Sequence, residues 1–209
     1  MKGMRVESDA WSPPAHVVGA GRLNRVGEPL LYTSPGNPTV AVEEMKIPDG
    51  ENFSLIVYEA LEDIRVSTIG VTPDLPNLNK DEVLKLRMLN DFLAHEFTRD
   101  VGVGTEYLYN ISDVIAKDYF DLPPQMQDAW CYPSVAARPA ANVCFRPDLA
   151  KRKLRLVGVQ INTCNRDQNG MRFQVKCIAS GFDGDGVFCY HSIGSDVQRV
   201  VFPDIRSAK

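Results

Sequence analysis

The residue types that could perform chemistry lie mostly in the first two thirds of the chain. Arg5 and Arg22 are candidates for binding phosphate oxygens, because a guanidinium makes planar, two-pronged contacts and keeps its proton. Glu43 offers a carboxylate that could stabilise a developing positive charge. Tyr32 offers a flat ring and a hydroxyl, and Ser134 offers a neutral hydroxyl. These positions are far apart in sequence, so only the folded chain can bring them together.

Two common kinds of catalytic site find little support. Ser134 lacks the pattern of a Ser/His/Asp triad, since the three histidines stand at positions 16, 95 and 191. The five cysteines contain no CxxC pair, and no HExxH or His/Cys cluster occurs, so no metal site is predicted. Their odd number and wide spacing favour reduced thiols in a cytosolic protein. Residues 183–186 begin like a calcium loop but lack its final glutamate, and we interpret them as a hairpin turn.

The segment Gly19-Ala20-Gly21-Arg22-Leu23-Asn24 invites a dinucleotide-binding interpretation, which the sequence argues against. The Rossmann fingerprint needs a third glycine where Asn24 stands. It also needs a helix directly after the loop, and Gly27-Glu28-Pro29 prevents one. No alternation of strands and helices surrounds the segment, so a Rossmann site is not expected.

Composition excludes several classes of protein. The 209 residues contain 23 Lys and Arg against 27 Asp and Glu, a net charge of −4, which argues against an electrostatic nucleic-acid binder. No apolar run approaches the ~18 residues that cross a bilayer, so no membrane association is expected. Residues 1–7 lack the apolar segment of a signal peptide. We therefore expect a cytoplasmic site of action, with delivery by a signal-free secretion route left open.

The pattern of elements predicts an α+β fold. Asn37 is a suitable N-cap for a helix that starts at Pro38, and Asn79-Lys80-Asp81-Glu82 resembles a capping box at the start of a helix near 80–98. Helical spacing is followed by Val83, Leu86, Leu89, Asn90, Leu93 and Phe97. The Leu, Met and Phe residues of 83–97 are expected in the core. The remaining elements are predicted as a helix at about 105–120 and strands at 29–34, 53–60, 64–69, 130–133, 142–145, 154–162, 171–179 and 187–191.

The sequence pattern changes in the last part of the chain. β segments alternate there with turn sequences, including the hairpin signal Asn169-Gly170. Residues 151–209 are therefore expected to continue the sheet in antiparallel fashion. Because no linker-like composition separates them, we interpret residues 1–209 as one domain with a β-rich extension at 149–209.

Taken together, residues 3–148 resemble the RES-domain family, which is named for an Arg, a Glu and a Ser. The family pattern has an early Arg, a Gly-Arg-x-Asn segment, a Gly, a strand ending in Tyr, a Glu eleven residues later on a helix, and a Ser in a Tyr-Pro-Ser context. The matching positions are Arg5, Gly21-Arg22-Leu23-Asn24, Gly27, Leu31-Tyr32, Ser34, Ala41, Glu43, Tyr132-Pro133-Ser134, Asn142 and Arg146-Pro147.

The resemblance implies an ADP-ribosyltransferase-like mixed sheet with helices and a toxin that degrades NAD. It implies Glu43, Arg5 and Ser134 as catalytic residues, with Glu43 beside the developing oxocarbenium and Ser134 bonded to the nicotinamide amide or the ribose. Arg22 would bind the pyrophosphate, and Tyr32 would stack on a ring or use its hydroxyl. Asn24 would contact the ligand or fix its loop. Glu44, next to Glu43, is expected on a solvated helix face.

The acceptor stays open between water, in a glycohydrolase, and inorganic phosphate, in a phosphorylase. Alternatives are ADP-ribose transfer onto a protein, or a non-catalytic RES-like module that binds a nucleotide or a partner. NAD is expected as the substrate, with no separate cofactor. An antitoxin or immunity protein is a possible partner of such a growth-arresting toxin.

Overall fold

A computed structural model describes residues 4–73, 76–168 and 170–206. It confirms an α+β fold with both parallel and antiparallel strand pairs. The helices are α1 (Pro38–Glu44), α2 (Lys80–Thr98), α3 (Tyr109–Tyr119), α4 (Pro147–Lys153) and α5 (Asp196–Val201). The strands are β1 (Leu31–Thr33), β2 (Asn52–Ala60), β3 (Val66–Thr68), β4 (Ala129–Pro133), β5 (Ala141–Phe145), β6 (Leu154–Asp167), β7 (Gly170–Phe182) and β8 (Phe188–Ser192).

The chain divides into two compact units. The mixed-sheet unit comprises Pro13–Glu44 and Asp63–Arg152, and the antiparallel unit comprises Met1–Ser12, Met45–Glu62 and Lys153–Lys209. The interpretation of residues 1–209 as one domain stays a prediction. Within the described residues, no helix combines the length and the apolar character needed to cross a membrane.

The mixed-sheet unit is built on four strands in the order β1-β5-β4-β3. β3 runs parallel to β4, and the other two pairs are antiparallel. Trp130, Tyr132 and Cys144 project from one face of this sheet, because side chains alternate along each strand, and they join the main apolar cluster of the unit. The buried cluster consists of Leu23, Leu30, Ile69, Leu93, Phe97, Ala116, Trp130, Tyr132 and Cys144.

The two helix starts predicted from capping residues are confirmed. Asn37 accepts a hydrogen bond from the backbone N of Thr39 at 3.0 Å, and α1 begins at Pro38. Asn79 accepts bonds from the backbone N atoms of Asp81 and Glu82, both at 3.0 Å, which closes the predicted capping box of α2. These local bonds satisfy amide groups that have no partner within the helix.

The prediction that the whole apolar stripe of α2 lies in the core is wrong in its first half. Leu93 and Phe97 are buried, whereas Leu84, Met88, Leu89 and Phe92 are each more than half exposed. Only the C-terminal half of the helix contributes buried residues. Helical spacing gives the faces of a helix but not the length over which one face is covered.

The antiparallel unit contains a second sheet, in the order β2-β6-β7-β8. Of its C-terminal strands, β6 pairs with β2, β7 with β6 and β8 with β7, so they do not extend the mixed sheet. The Asp167 and Gly170 ends of β6 and β7 pair in a tight hairpin, as predicted, although Asn169 lies outside the described residues. Asp183 accepts bonds from the backbone N atoms of Asp185 and Val187 at 3.0 and 2.9 Å, which confirms the predicted turn at 183–186.

Candidate functional site

Glu44, at the end of α1, is a carboxylate held by several hydrogen-bond donors. Its Oε1 atom accepts hydrogen bonds from Ser134 Oγ at 2.5 Å, Val135 N at 2.9 Å and Asn142 Nδ2 at 2.9 Å. The two donor segments are the end of β4 and the neighbouring strand β5. Three donors converging on one oxygen fix both the position and the orientation of this carboxylate.

These contacts keep Glu44 ionised. Partial burial raises the pKa of the Glu44 carboxyl, but hydrogen bonds from Ser134, Asn142 and the backbone N–H groups of Val135 and Ala136 outweigh it, so the net shift is downward. Hydrogen bonds to the charged form favour that form. Glu44 is therefore an oriented anion at neutral pH.

Ser134 is fully buried, and its hydroxyl is engaged on both sides. It donates to Glu44 and accepts a bond from the backbone N of Ala137 at 3.1 Å. The family resemblance implied that Ser134 bonds directly to the nicotinamide amide or to the ribose. In this arrangement the hydroxyl instead orients the carboxylate.

Glu43 and Glu44 are adjacent on α1, and both are partly buried. The expectation that Glu44 lies on a solvated face is wrong, because it follows the buried Val40 by four residues and shares its side of the helix. Glu43 is also partly buried, and its predicted catalytic role stays a prediction. The four-residue spacing from Val40 was the signal that could have pointed to Glu44.

Asn142 and Ser34 extend the contacts of Glu44 and were given no role by the sequence. Ser34 Oγ donates to Asn142 Oδ1 at 2.7 Å, and Asn142 Nδ2 donates to Glu44. Asn142 pairs directly with the buried Tyr132 across β5 and β4. Both residues belong to the family-like pattern, but their hydrogen bonds depend on strand pairing that a single sequence does not reveal.

Tyr32 lies on the face of the mixed sheet that carries Asn142, and its partner on β5 is two residues away from Asn142. It pairs with Cys144 of β5, so it projects from the face that also carries Asn142, roughly 7 Å away along the strand. The residue as a whole is 41% exposed. Burial of the hydroxyl end raises the pKa of Tyr32, so the phenol stays neutral.

The hydroxyl of Tyr32 is held inside the protein by the Gly21–Asn24 loop. It donates to Asn24 Oδ1 at 2.7 Å and accepts from the backbone N of Leu23 at 3.2 Å. The Asn24 amide nitrogen donates to the carbonyls of Gly19 and Arg25 at 2.8 and 3.0 Å. Of the two predicted roles of Tyr32, stacking through the ring is therefore the one left open, and Asn24 fixes its loop.

Arg22 presents a partly unsatisfied guanidinium in the same unit. Its Nη2 donates to the carbonyl of Arg99 at 2.7 Å, and its guanidinium carbon lies 5.5 Å from the ring centre of Tyr109. Its Nη1 is buried and has no hydrogen-bond partner among the described residues. A buried donor without an acceptor destabilises the folded protein, and a hydrogen bond to an acceptor removes that penalty.

The charges of Arg22 and Glu44 both affect the pKa of the Tyr132 hydroxyl. Burial is the main cause that raises the pKa of Tyr132, while the negative charge of Glu44 raises it further and the positive charge of Arg22 lowers it. Both charges therefore act on the same buried hydroxyl.

Arg5 belongs to the antiparallel unit. Its backbone N donates to Asp9 Oδ2 at 2.7 Å, and its carbonyl accepts a bond from the backbone N of Phe188 at 2.9 Å. The side chain is exposed. Its predicted catalytic role stays a prediction.

No protein-family model matches the chain, and no curated protein matches it significantly. The resemblance to the RES-domain family therefore rests on the sequence pattern alone. Within the part of the chain that the structure describes, no group of three or more His, Cys, Asp or Glu side chains is placed to hold a metal ion.

Proposed function

We propose that this protein cleaves the bond between nicotinamide and ribose in NAD. The observation that carries the proposal is the Glu44 carboxylate, which Ser134, Asn142 and the Val135 amide hold as an oriented anion. Ser134 is the Ser of the family-like pattern, and Glu44 is adjacent to the Glu of that pattern, Glu43. The proposal thus assigns to Glu44 the electrostatic role that the sequence assigned to Glu43.

The chemistry needs an anion more than it needs an acid. When the ribose carbon–nitrogen bond breaks, its electron pair passes to the positively charged ring, and nicotinamide leaves as a neutral molecule. Positive charge develops on the ribose as an oxocarbenium. A preoriented carboxylate stabilises that charge without reorganising during the reaction.

The neighbouring residues suit other parts of NAD. The partly exposed Arg22 offers a positively charged guanidinium for the pyrophosphate. The exposed ring of Tyr32, fixed through its hydroxyl, offers a surface on which a flat ring can stack. Asn24 and Ser134 act as positioning residues for Tyr32 and Glu44 respectively.

The acceptor is water or inorganic phosphate. Water adds its oxygen to the ribose carbon and loses a proton, which gives ADP-ribose, nicotinamide and one proton. Phosphate adds through one oxygen and gives the ADP-ribose phosphate ester together with nicotinamide. Each route conserves atoms and electrons without a metal or a redox cofactor.

The test is incubation of the purified protein with NAD, with and without phosphate, followed by chromatography and mass spectrometry. Free nicotinamide with ADP-ribose supports the glycohydrolase, and a phosphate ester formed only with phosphate supports the phosphorylase. ADP-ribose found on protein would replace both with transferase activity. Intact NAD, together with unchanged cellular NAD during growth-neutral production, would overturn the proposal in favour of a non-catalytic module.

A further inference from the structure

Asn142 connects Ser34 to Glu44 through two hydrogen bonds. Its Nδ2 donates to Glu44 Oε1 at 2.9 Å, and its Oδ1 accepts from Ser34 Oγ at 2.7 Å. Asn142 is 5% exposed. Water therefore has little access to the Asn142 amide, whereas Ser34 and Glu44 are partly exposed.

The chemistry of the partners fixes which way the Asn142 amide faces. An ionised carboxylate can only accept hydrogen bonds, so the NH₂ group must face Glu44. The amide oxygen then faces Ser34, whose hydroxyl must donate. Each member thus has a definite role, and a reversed amide would place two oxygens against each other.

We propose that Asn142 and Ser34 are positioning residues that hold the Glu44 carboxylate in its working orientation. This inference rests on the proposed function for its consequence in catalysis, but the positioning itself is a property of the free protein. Neither residue needs to touch substrate. Ser34 acts through Asn142, and Asn142 acts through Glu44.

The groups that surround Glu44 restrict what else could change its titration. Ser134 and the Val135 amide donate to it from the end of β4, and Asn142 donates from β5. Glu43 is adjacent to Glu44 on α1, and the charge of Glu44 raises the pKa of the buried Tyr132 hydroxyl. Tyr132 is neutral across the pH range of the test because burial raises its pKa.

The decisive variant is Asn142→Asp, which exchanges a donor for a second carboxylate with little change in volume. Two carboxylates at hydrogen-bond distance must share a proton, so the pair should bind one proton well above the ordinary carboxyl range. In protein labelled with ¹³C at the glutamate carboxyl carbons, the Glu44 signal should gain a titration step that the wild type lacks. Glu44→Gln assigns the signal, and Asn79→Asp, the same exchange at the α2 cap, should leave it unchanged.

The same variant should alter turnover of NAD. Above the new titration step both carboxylates are charged and repel each other, so kcat should fall at least about tenfold relative to wild type, equivalent to a lost bond to a charged group. KM should change little, because neither residue is assigned to substrate. A purely structural role for Asn142 would not create a new limb in the pH profile.

A second pair of variants keeps the proposal testable if Asn142→Asp does not fold. Ser34→Ala removes the donor to the amide oxygen, whereas Ser34→Thr keeps a hydroxyl. We expect Ser34→Ala to move the Glu44 titration upward and lower kcat several-fold, and Ser34→Thr to restore both. Equal Glu44 titration in wild type, Ser34→Ala and every folded Asn142→Asp sample would overturn the inference.

The two proposals fail in different ways. If wild-type protein leaves NAD intact but Asn142→Asp adds the titration step, the positioning chain stands and the proposed function falls. If NAD is cleaved but the Glu44 signal is indifferent to Asn142 and Ser34, only the positioning chain falls.

Discussion

At the scale of single residues, two adjacent glutamates offer a direct comparison. Glu44→Gln removes the charge that Ser134 and Asn142 orient, while keeping nearly the same volume. We expect NAD cleavage to fall by about 10²–10³, the loss typical of removing one preoriented electrostatic group. Initial rates of nicotinamide release measure the effect.

Glu43→Gln is the matched variant, since it makes the same chemical change one residue earlier. A greater loss in Glu43→Gln than in Glu44→Gln would return the catalytic role to the residue indicated by the sequence pattern. Circular dichroism and thermal unfolding of both variants confirm that activity is compared between folded proteins.

Ser134→Ala should leave Glu44 less well oriented. The loss of one bond to a charged group costs about 1–3 kcal/mol, or roughly ten- to a hundredfold in rate. Because the wild-type hydroxyl is buried and bonded to Glu44, no covalent ADP-ribosyl-serine should form. Mass spectrometry of enzyme quenched during turnover checks this, and an adduct on the Ser134 peptide would establish covalent catalysis instead.

At the scale of elements, the Gly21–Asn24 loop depends on the absence of a side chain at Gly21. A Cβ at that position would lie 2.4 Å from Asn24 Oδ1 and 3.1 Å from the Tyr32 hydroxyl. Gly21→Ala should therefore break or displace the bond between these two groups and lower the free energy of unfolding by about 1–3 kcal/mol. Denaturant unfolding measures the change.

Gly19→Ala is the control in the same loop, because a Cβ there meets no atom within 4 Å. It should change the free energy of unfolding by no more than about 0.5 kcal/mol. If the two variants are equally stable, the loop accommodates the extra carbon and the contact between Tyr32 and Asn24 is not a constraint on Gly21.

The elements also show what one sequence can and cannot predict. Helix starts at Pro38 and Lys80 follow from capping residues within three positions, so local chemistry is sufficient. The exposure of Leu89 and Phe92 depends on how much of α2 is covered by other elements. The choice of β2 as partner for the C-terminal strands is likewise a long-range pairing, which periodicity does not contain.

The candidate site was predictable in its residue types but less so in its contacts. Arg22, Tyr32 and Ser134 belong to the mixed-sheet unit, as does Glu43. Sequence spacing places Glu44 on the same side of α1 as Val40, but it does not reveal the bond to Ser134, which joins positions 90 residues apart. For the same reason, Ser34 and Asn142, 108 residues apart, became partners only once β1 and β5 were paired.

At the scale of the whole molecule, the ionised state of Glu44 links folding to pH. Its folded-state pKa lies below the unfolded value of about 4.3, so folding favours the deprotonated form. The stabilising contribution is fully present above about pH 5 and is lost as pH falls through the unfolded and then the folded pKa. Because the pKa of Glu44 is lower in the folded than in the unfolded protein, its contribution to the free energy of unfolding is lost on the acid side.

Unfolding of wild type and Glu44→Gln should therefore be compared by denaturant titration at pH 7 and at several values down to about pH 3. The difference in free energy of unfolding should be largest near neutrality and shrink steadily below about pH 4, because the variant has no proton to bind at this position. Glu43→Gln measured in parallel gives the pH dependence for the same substitution at the adjacent position of the helix. A difference between wild type and Glu44→Gln that stays constant from pH 7 to pH 3 would mean that the hydrogen bonds from Ser134, Val135 and Asn142 do not favour the charged carboxylate, and the electrostatic role of Glu44 would fall with it.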